Sequence, residues 1–411
     1  MLGWEFPPYQ AGGLATATLG LVKGLLRQQI KITLIVPFAV GKSELVGLRL
    51  ISTAKDRRRL RTHRIVSPLG PYMSEGEYRT TYSQFIQGTK IATLYGRNIF
   101  EEVDRFAEIV AELAHEEPHD VIHAHDWITY AAGIQAKRVS GCPLITHVHA
   151  TEYDRAGDNP NPEIYRRERE GMMAADLVIA NSQYLKRSVI RHYQIPEQKI
   201  EVVHWGIDED RPEYYLEPPV LFKPDEPVVL FLGRVTRQKG PDYFIEMARR
   251  VVDFVPTVRF IVAGTGDMLP RIIERAVELG ISHRVHFTGA LHNEDVFRVL
   301  KLADVCVMPS VSEPFGLVAL ESLKSGTPCI VPKESGVAEV LHNVFKVDFW
   351  DIEEMTNKVV GILKYPELYT ELSERGFQEV SARRLGLEEP SRRIYEIYRR
   401  AIESVSIASG S

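Results

Sequence analysis

The chain has 411 residues, of which 44% are hydrophobic and 26% charged, and its formal net charge at pH 7 is −5. This length predicts two domains, the composition is that of a globular protein, and the charge gives no reason to expect nucleic acid or an anionic membrane as a partner. No apolar run is long enough to span a bilayer and no signal peptide opens the chain, so we expect a cytoplasmic protein. Cys142, Cys306 and Cys329 are widely spaced, which fits a reducing compartment better than a disulfide framework or a metal site.

The N-terminus predicts an unusually short first strand. Only Met1–Trp4 precede the loop Glu5–Gln10 and the pair Gly12-Gly13, so we expect that strand to be clipped to almost nothing, either by a true short start or by a misassigned start codon. A glycine pair before a helix lets the backbone approach a phosphate closely, although such pairs also make ordinary tight turns.

The rest of the first half alternates buried strands with helices of period near 3.6. The predicted strands are Ile32–Pro37, Asp120–His125, Leu144–His149, Asp176–Asn181 and Glu201–Trp205, and the predicted helices include Leu14–Arg27, Ile128–Arg138 and Glu163–Met173. This alternation predicts a doubly wound parallel sheet with right-handed crossovers. The basic run Lys55–Arg64 is interpreted as a solvated or mobile surface loop, with a patch for an anion or an acidic partner as the alternative.

The second half repeats the pattern after a stretch rich in proline and acidic residues, Asp208–Pro227, which we interpret as a linker. The predicted strands are Val228–Gly233, Val258–Ala263, Val285–Thr288, Val305–Pro309 and Cys329–Pro332, and the predicted helices are Tyr243–Val252, Leu269–Leu279, Asn293–Leu300 and Leu317–Lys324. A second doubly wound sheet is therefore expected.

Histidines end two neighbouring strands of the first half. His123 and His125 share one face of their strand, as His147 and His149 do of theirs, because residues i and i+2 point the same way. These four side chains are candidate metal ligands of a metal-dependent hydrolase. Against this, no further histidine or carboxylate follows at hydrolase spacing, and histidines satisfied by hydrogen bonds in an interdomain cleft are the simpler interpretation.

Two basic residues follow the first predicted strand of the second half. Arg234 and Lys239 follow Val228–Gly233, at the strand end where open α/β sheets bind ligands. A planar guanidinium and a mobile ammonium suit a diphosphate, while the alternative is two solvated loop cations.

Two glutamates eight residues apart, Glu313 and Glu321, are the most informative feature of the second half. Glu313 falls in the loop after a buried strand, and Glu321 falls about two turns into the next helix. The backbone N–H groups of Phe315, Gly316 and Leu317 open that helix, and a helix N-terminus favours phosphate. This arrangement suits a nucleotide sugar, because one carboxylate could bind sugar hydroxyls and the other ribose hydroxyls, with the phosphates between them. The alternative is that Glu313 only stabilises the start of its own helix and that Glu321 is a solvated residue on the surface of that helix.

Five motifs together resemble the retaining nucleotide-sugar glycosyltransferases of the glycogen synthase and sucrose-phosphate synthase superfamily. They are Gly12–Leu14, His123–Trp127, Thr146–Asp154, Gly233-Arg234 with Lys239-Gly240, and Glu313–Glu321. The resemblance covers nearly the whole chain and implies the GT-B fold, an α/β architecture of two Rossmann-like doubly wound parallel-sheet domains that face each other across a cleft. It also implies that the C-terminal helix crosses back to the first domain. We therefore expect domains at residues 1–208 and 228–385, a linker at 209–227 and a crossing segment at 386–411.

Carried over position by position, the resemblance implies a catalytic role for three residues. Glu313 would hold the hydroxyls of the donor sugar, His149 would contact the sugar, and Asp126 would lie near the sugar or the acceptor hydroxyl. The residues implied in donor binding are Arg234, Lys239, Glu321, Gly12, Gly13, Phe315, Gly316 and Leu317. The same resemblance implies no bound metal and no cofactor besides the nucleotide-sugar substrate, ADP- or UDP-linked.

The expected activity is retaining transfer of a sugar, with glucose as the best guess, from a nucleotide sugar to a glycan or a small sugar acceptor. Glycogen-type α-glucan synthesis is the first choice of reaction, and sucrose-phosphate-type or cell-surface glycan transfer is the alternative. A non-catalytic nucleotide-sugar-binding relative and the metal hydrolase are the hypotheses from other classes. Two sheets joined by a proline-rich linker also suggest hinge motion around the ligand.

Overall fold

The computed structural model of the protein describes residues 1–6, 13–37, 45–53, 99–217, 226–291 and 294–409. Gly12, the basic run Lys55–Arg64 and residues 218–225 of the predicted linker lie outside the described residues.

The first half forms parallel β-structure, as the alternation predicted. Its strands are β1 Ile32–Val36, β2 Leu48–Ser52, β3 Ile122–His125, β4 Leu144–Val148, β5 Leu177–Ala180 and β6 Ile200–Val202. β1 pairs with β2, and β3 to β6 pair in order, all in parallel. Leu2 joins the two groups through parallel bridges to Ile35 in β1 and Ala124 in β3, so the expected short first strand is reduced to a bridging residue between them.

The helices of the first half connect these strands. They are α1 Gly13–Arg27, α2 Ile99–Glu116, α3 Trp127–Ser140, α4 Glu152–Ala156, α5 Pro162–Ala174 and α6 Gln183–Tyr193. Local sequence explains where several of them begin and end. Thr151 and Asp154 form a capping box at α4, Ser182 caps α6 by accepting the Leu185 N–H, and Gly141 ends α3 in the left-handed conformation.

The second half forms one parallel sheet in the order β12-β11-β10-β7-β8-β9. Its strands are β7 Val228–Leu232, β8 Arg259–Ala263, β9 Val285–Gly289, β10 Val305–Val307, β11 Cys329–Pro332 and β12 Phe345–Val347. Its helices are α7 Pro241–Phe254, α8 Leu269–Glu278, α9 Glu294–Leu302, α10 Leu317–Lys324, α11 Ile352–Lys364 and α12 Pro366–Val380. The strand order reverses between β7 and β10, which is the place where doubly wound sheets bind ligands.

The last helix, α13 Glu388–Ser409, packs on the first half of the chain. The Tyr398 hydroxyl lies 2.6 Å from His123 Nδ1 at the end of β3. α13 also lies so close to α1 that a Cβ atom added at Gly24 would stand 2.8 Å from Ser391 Cβ. The last helix therefore contacts both the end of β3 and α1 of the first half. No helix in the described part of the chain combines the length and the apolar character that crossing a bilayer requires.

Close packing of α5 on α3 predicts opposite effects for two glycine substitutions. In Gly171→Ala, the new Cβ would lie 2.2 Å from Tyr130 Cδ2, so we expect a loss of about 1–3 kcal/mol from overpacking. Gly361 in α11 has Leu368 Cδ2 as its nearest neighbour at 3.6 Å, so Gly361→Ala should gain about 0.5–1 kcal/mol from helix propensity. Thermal unfolding should give a lower melting temperature for the first variant and an unchanged or higher one for the second; equal melting temperatures would contradict the packing argument.

Candidate active site

A cavity of about 630 Å³ lies between the two sheets, at the carboxyl ends of their strands. Its wall includes His149 after β4, Arg234 and Lys239 after β7, and the loop and helix from Glu313 to Glu321 after β10. The structure therefore brings together side chains that are far apart in sequence and lie in two different sheets. Among the other predicted residues, Phe315, Gly316 and Leu317 line the cavity, and Gly13 begins α1, whose Leu14, Thr16 and Ala17 line it.

Glu313 is buried and held by two side chains. Its Oε2 accepts hydrogen bonds from Lys239 Nζ at 2.7 Å and from Ser310 Oγ at 2.9 Å. The loop is fixed by its backbone as well, because the Gly336 N–H donates to the Glu313 carbonyl at 3.0 Å. Lys239, predicted to bind a diphosphate, thus neutralises Glu313 in this structure. Its ammonium lies at the cavity wall, where a phosphate that enters would compete for it.

Glycines let the backbone pass close to the site at two turns. Gly240 has φ of 64°, and a Cβ there would stand 2.0 Å from the Pro309 carbonyl oxygen. Gly316, with φ of 110°, is the N-cap residue of α10. Only glycine adopts such conformations at little cost, so the turn after Lys239 can approach Pro309 and α10 can begin beside Glu313.

His149 is fixed through its backbone. Asp126 Oδ1 accepts the His149 N–H at 2.8 Å, and Asn181 Nδ2 donates to the His149 carbonyl at 3.0 Å. Asp126 is only 3% exposed and is not part of the cavity wall. Its carboxylate therefore supports the loop of His149 in this structure, and its place near the sugar or the acceptor hydroxyl stays a prediction. Burial lowers the pKa of His149, and the nearby Asp126 carboxylate partly offsets that effect.

The four histidines form a stack that does not converge on one point. One ring nitrogen each from His123, His125 and His147 lie within 4.8 Å of one another, which is the proximity that suggested a metal. However, the rings are nearly parallel, with 6° between His123 and His147, and His123 Nε2 is hydrogen-bonded to His147 Nδ1 at 3.2 Å. Ligand lone pairs lie in the ring planes, so parallel rings do not aim them at a common centre as a tetrahedral site requires.

Hydrogen bonds and burial indicate that the stacked histidines are neutral and structural. His149 Nε2 lies 3.0 Å from His125 Nδ1, and the Trp205 ring stacks on His147 and His149. Burial holds the pKa values of His123, His125 and His147 well below the usual range, so these rings are neutral. This geometry favours the hydrogen-bonded interpretation over the metal hydrolase. The Nε2 atoms of His125 and His147 have no hydrogen-bond partner among the described residues. Buried water molecules could form the missing hydrogen bonds.

Family comparisons agree with this two-sided site. Residues 11–211 match Glycosyltransferase Family 4, and residues 216–379 match Glycosyl transferases group 1. The chain is 29% identical over 352 residues to an uncharacterized glycosyltransferase of Methanocaldococcus jannaschii, which covers 83% of this chain and 82% of the relative. It is 30% identical over 309 residues to a D-inositol 3-phosphate glycosyltransferase of Segniliparus rotundus, which covers 71% of this chain and 68% of the relative. The chain belongs to the group 1 glycosyltransferases.

Solved structures of other glycosyltransferases share the fold. Sucrose-phosphate synthase from Thermosynechococcus elongatus superimposes with a TM-score of 0.72 at 21% identity, over 96% of this chain and 94% of that chain. The catalytic domain of starch synthase IV from Arabidopsis thaliana, bound to ADP and acarbose, gives a TM-score of 0.70 at 14% identity, over 98% of each chain. Two parallel α/β domains facing each other across a cleft are the GT-B architecture that the sequence predicted.

Several residues of this glycosyltransferase's cleft were missed by the sequence interpretation. Ser182 Oγ donates to the Pro314 carbonyl at 2.6 Å, and Ser312 Oγ donates to Asp154 Oδ1 at 2.6 Å, so each joins the two halves of the molecule. Arg211, within the stretch interpreted as a linker, lines the cavity. Serines and a lone arginine between acidic residues carry no pattern of their own, and only the fold identifies their partners.

Glu339 joins the two halves through three hydrogen-bonding partners. It lies in the loop after β11 and accepts the backbone N–H groups of Gln183 at 2.8 Å and Tyr184 at 2.6 Å, which open α6. His204 Nε2 lies 2.7 Å from the same carboxylate. Burial opposes ionisation of Glu339, but these hydrogen bonds outweigh it and lower its pKa from 4.5. The carboxylate occupies the positive end of a helix from the opposite domain.

Loss of the Asp126 carboxylate should destabilise the loop of His149. Asp126→Ala leaves a buried backbone N–H without its acceptor, which costs about 1–3 kcal/mol and frees the loop. Asp126→Asn keeps an oxygen acceptor at the same place for the His149 N–H. We expect thermal unfolding to show a clear loss for alanine and a small one for asparagine. Equal losses would show that the hydrogen bond to His149 is unimportant.

Removal of the Glu339 carboxylate should open the empty cleft. In Glu339→Ala the N-terminus of α6 and His204 lose their common partner, so we expect a larger radius of gyration by small-angle X-ray scattering. Glu334→Ala, which changes an exposed glutamate of the same loop, is the matched control. Because the Glu339 pKa is lowered, its contribution is complete above 4.5 and is lost as the pH falls through the lowered value. The wild type should therefore stay compact at pH 5. A radius of gyration for Glu339→Ala equal to that of the wild type would show that Glu339 does not hold the two halves together.

Proposed function

We propose that this protein is a retaining, metal-independent glycosyltransferase that moves a hexose, with glucose as the first choice, from a nucleoside diphosphate sugar to a hydroxyl acceptor. The observation that carries the proposal is one cavity walled by His149 from the first domain and by Arg234, Lys239, Glu313 and Glu321 from the second. A cavity of this size, with both cations and carboxylates on its wall, suits a bound diphosphate with a sugar at each end.

The charges of the cavity fit the charges of the reaction. When the bond between the sugar C1 and the phosphate oxygen breaks, its electron pair stays on the leaving diphosphate and positive charge develops on the sugar ring. Arg234, Lys239 and the N-terminus of α10 would stabilise the diphosphate, which is the work that a metal ion does in other enzymes. Glu313, once Lys239 turns to the phosphate, would be free to accept hydrogen bonds from the donor sugar.

Retention of configuration follows if the acceptor enters on the face that the diphosphate leaves. The acceptor oxygen would form the new bond to C1, and its proton would pass to the departing phosphate oxygen, so that no protein base is needed on the opposite face. This differs from a glycosidase design, in which two carboxyl groups work across the bond. Buried His149, held from both sides of its backbone, would define where the sugar ring stops.

The acceptor is proposed as a first choice with alternatives. An α-glucan chain, as in glycogen-type synthesis, is the acceptor that the sequence resemblance implied, with sucrose-phosphate-type or cell-surface glycan transfer behind it. The curated relative named as a D-inositol 3-phosphate glycosyltransferase, at 30% identity, supports a phosphorylated polyol as the second candidate. We also propose that the protein acts in the cytoplasm, since Cys142, Cys306 and Cys329 are all free thiols.

Donor and acceptor are tested together. ADP-, UDP- and GDP-glucose are first ranked by thermal shift, since a ligand that binds only the folded protein raises its melting temperature. The best donor is then offered with a malto-oligosaccharide, a hexose phosphate and inositol 3-phosphate, and the anomeric configuration of the first product is read by proton NMR. An α-linked product from the α-linked donor supports retention; an inverted product, or no shift with any donor, contradicts the proposal.

Glu313 should be essential for transfer. In Glu313→Gln the side chain keeps its size but loses the charge that binds Lys239 and the sugar hydroxyls, so we expect transfer to fall by about 100-fold or more. Glu353→Gln, an exposed glutamate in α11, is the matched control and should retain wild-type activity. Equal turnover in Glu313→Gln and the wild type would reject the assignment of this residue.

A further inference from the structure

Arg211 lies in the wall of the proposed donor site, although it belongs to the segment between the two sheets. Its guanidinium carbon stands 4.6 Å above the centre of the Phe297 ring, which gives a cation–π contact. Arg211 Nη2 also donates to Glu213 Oε1 at 3.0 Å. The side chain of Arg211 is 20% exposed, so two independent contacts fix a largely buried charge.

Arg211 and Glu321 share two cavities. Both line the main cavity, and both line a small adjoining void of about 20 Å³, which has room for a single water molecule. Phe297, on which the guanidinium rests, lines the main cavity too, and the Tyr214 ring meets it edge-on with 5.0 Å between centroids. The arginine thus lies against Phe297 in the main cavity and shares the wall of both cavities with the carboxylate on α10.

We infer that Arg211 is a positioning residue of the donor site: stacked on Phe297, it is the counter-charge that prepares Glu321 to accept the two ribose hydroxyls of a nucleoside diphosphate sugar. This inference rests on the proposed function and adds a residue from the interdomain segment to nucleotide recognition. A carboxylate accepts hydrogen bonds from a diol through both oxygens only in its ionised form, because the protonated form must donate one.

The ionisation of Glu321 is finely balanced. Burial raises its pKa to about 7, and Arg211 is the charge that opposes the rise. Other groups around the pair are the acidic Asp208 and Glu213, the phenol of Tyr214, and Lys23 of α1, which is 2.5 Å from Asp208. Near neutral pH, Glu321 therefore changes between a protonated form that binds the diol poorly and an ionised form that binds it well.

Loss of Arg211 should move the pH at which donor binding begins. We expect wild-type affinity for a nucleotide sugar to rise about tenfold from pH 6 to pH 8, as Glu321 ionises with a pKa of about 7. If Arg211→Gln raises the midpoint by about one pH unit, affinity at pH 7 falls about fivefold and is recovered by pH 9. Arg211→Lys keeps the charge and should keep the wild-type midpoint.

Isothermal titration calorimetry with UDP-, ADP- and GDP-glucose between pH 6 and pH 9 measures the midpoint of this pH dependence. The diphosphate groups of these ligands do not titrate in that range, so the change in affinity reports on the protein. Glu321→Gln supplies the reference without the titrating carboxylate and should lose the midpoint near pH 7. The inference is supported by a midpoint that moves upward in Arg211→Gln and stays in Arg211→Lys.

The alternatives are distinguishable. An Arg211→Gln variant that binds more weakly by the same factor at every pH has lost only structural support, and an unchanged profile means that the arginine plays no part. Either result overturns the inference and leaves the glycosyltransferase proposal standing. If Arg211→Gln does not fold, Arg211→Met, which also removes the charge but keeps an unbranched side chain, takes its place and must show the same upward shift of the midpoint. Failure of the wild type to bind any of the three nucleotide sugars would overturn the proposed function, and the inference with it.

Discussion

Contact between the carboxyl ends of two parallel sheets is the constraint on which the site depends. His149 follows a strand of one sheet and Glu313 follows a strand of the other. The two residues line one cavity because the loops after β4 and β5 lie against those after β10 and β11. Glu339 secures that meeting by binding the start of α6 in the opposite domain, where two backbone N–H groups would otherwise lack partners. Such a contact is polar and small, so it suits domains that separate to exchange ligands.

Local sequence was sufficient for most of the fold. Strands such as Cys329–Pro332 and helices such as Leu317–Lys324 were predicted to the residue, because buried parallel strands read as continuous apolar runs and glycine or proline marks where helices end. β2 and β12 were missed, and both are short edge strands with partly exposed residues. Leu2 shows the limit of pattern reading, since a single residue completes the pairing between β1 and β3 without any periodicity.

The site was predictable where a residue's role depends on its place at a strand end or a helix start. Arg234, Lys239, Glu313 and His149 satisfy that condition, and all four line the cavity. Asp126 satisfies it as well, yet its carboxylate turns inward to the His149 backbone, which no spacing rule reveals. Arg211 and Glu339 belong to irregular segments. Arg211 stacks on Phe297 and Glu339 binds the start of α6, and both contacts join residues more than 80 positions apart in the sequence, so tertiary structure alone identifies them.

Glu313 in the loop after β10 and Glu321 in α10 have different electrostatic surroundings, and the proposed donor site depends on this difference. Glu313 has an ammonium at 2.7 Å and a hydroxyl at 2.9 Å, so its charge is already compensated in the empty cavity. A diphosphate that attracts Lys239 would release that compensation at the moment when sugar hydroxyls arrive to replace it. Glu321 instead has burial working against its charge and Arg211 working for it. If the proposed donor binds here, binding of its nucleotide end would be sensitive to Arg211 in the interdomain segment, whereas binding of its sugar end would be coupled to the phosphate through Lys239.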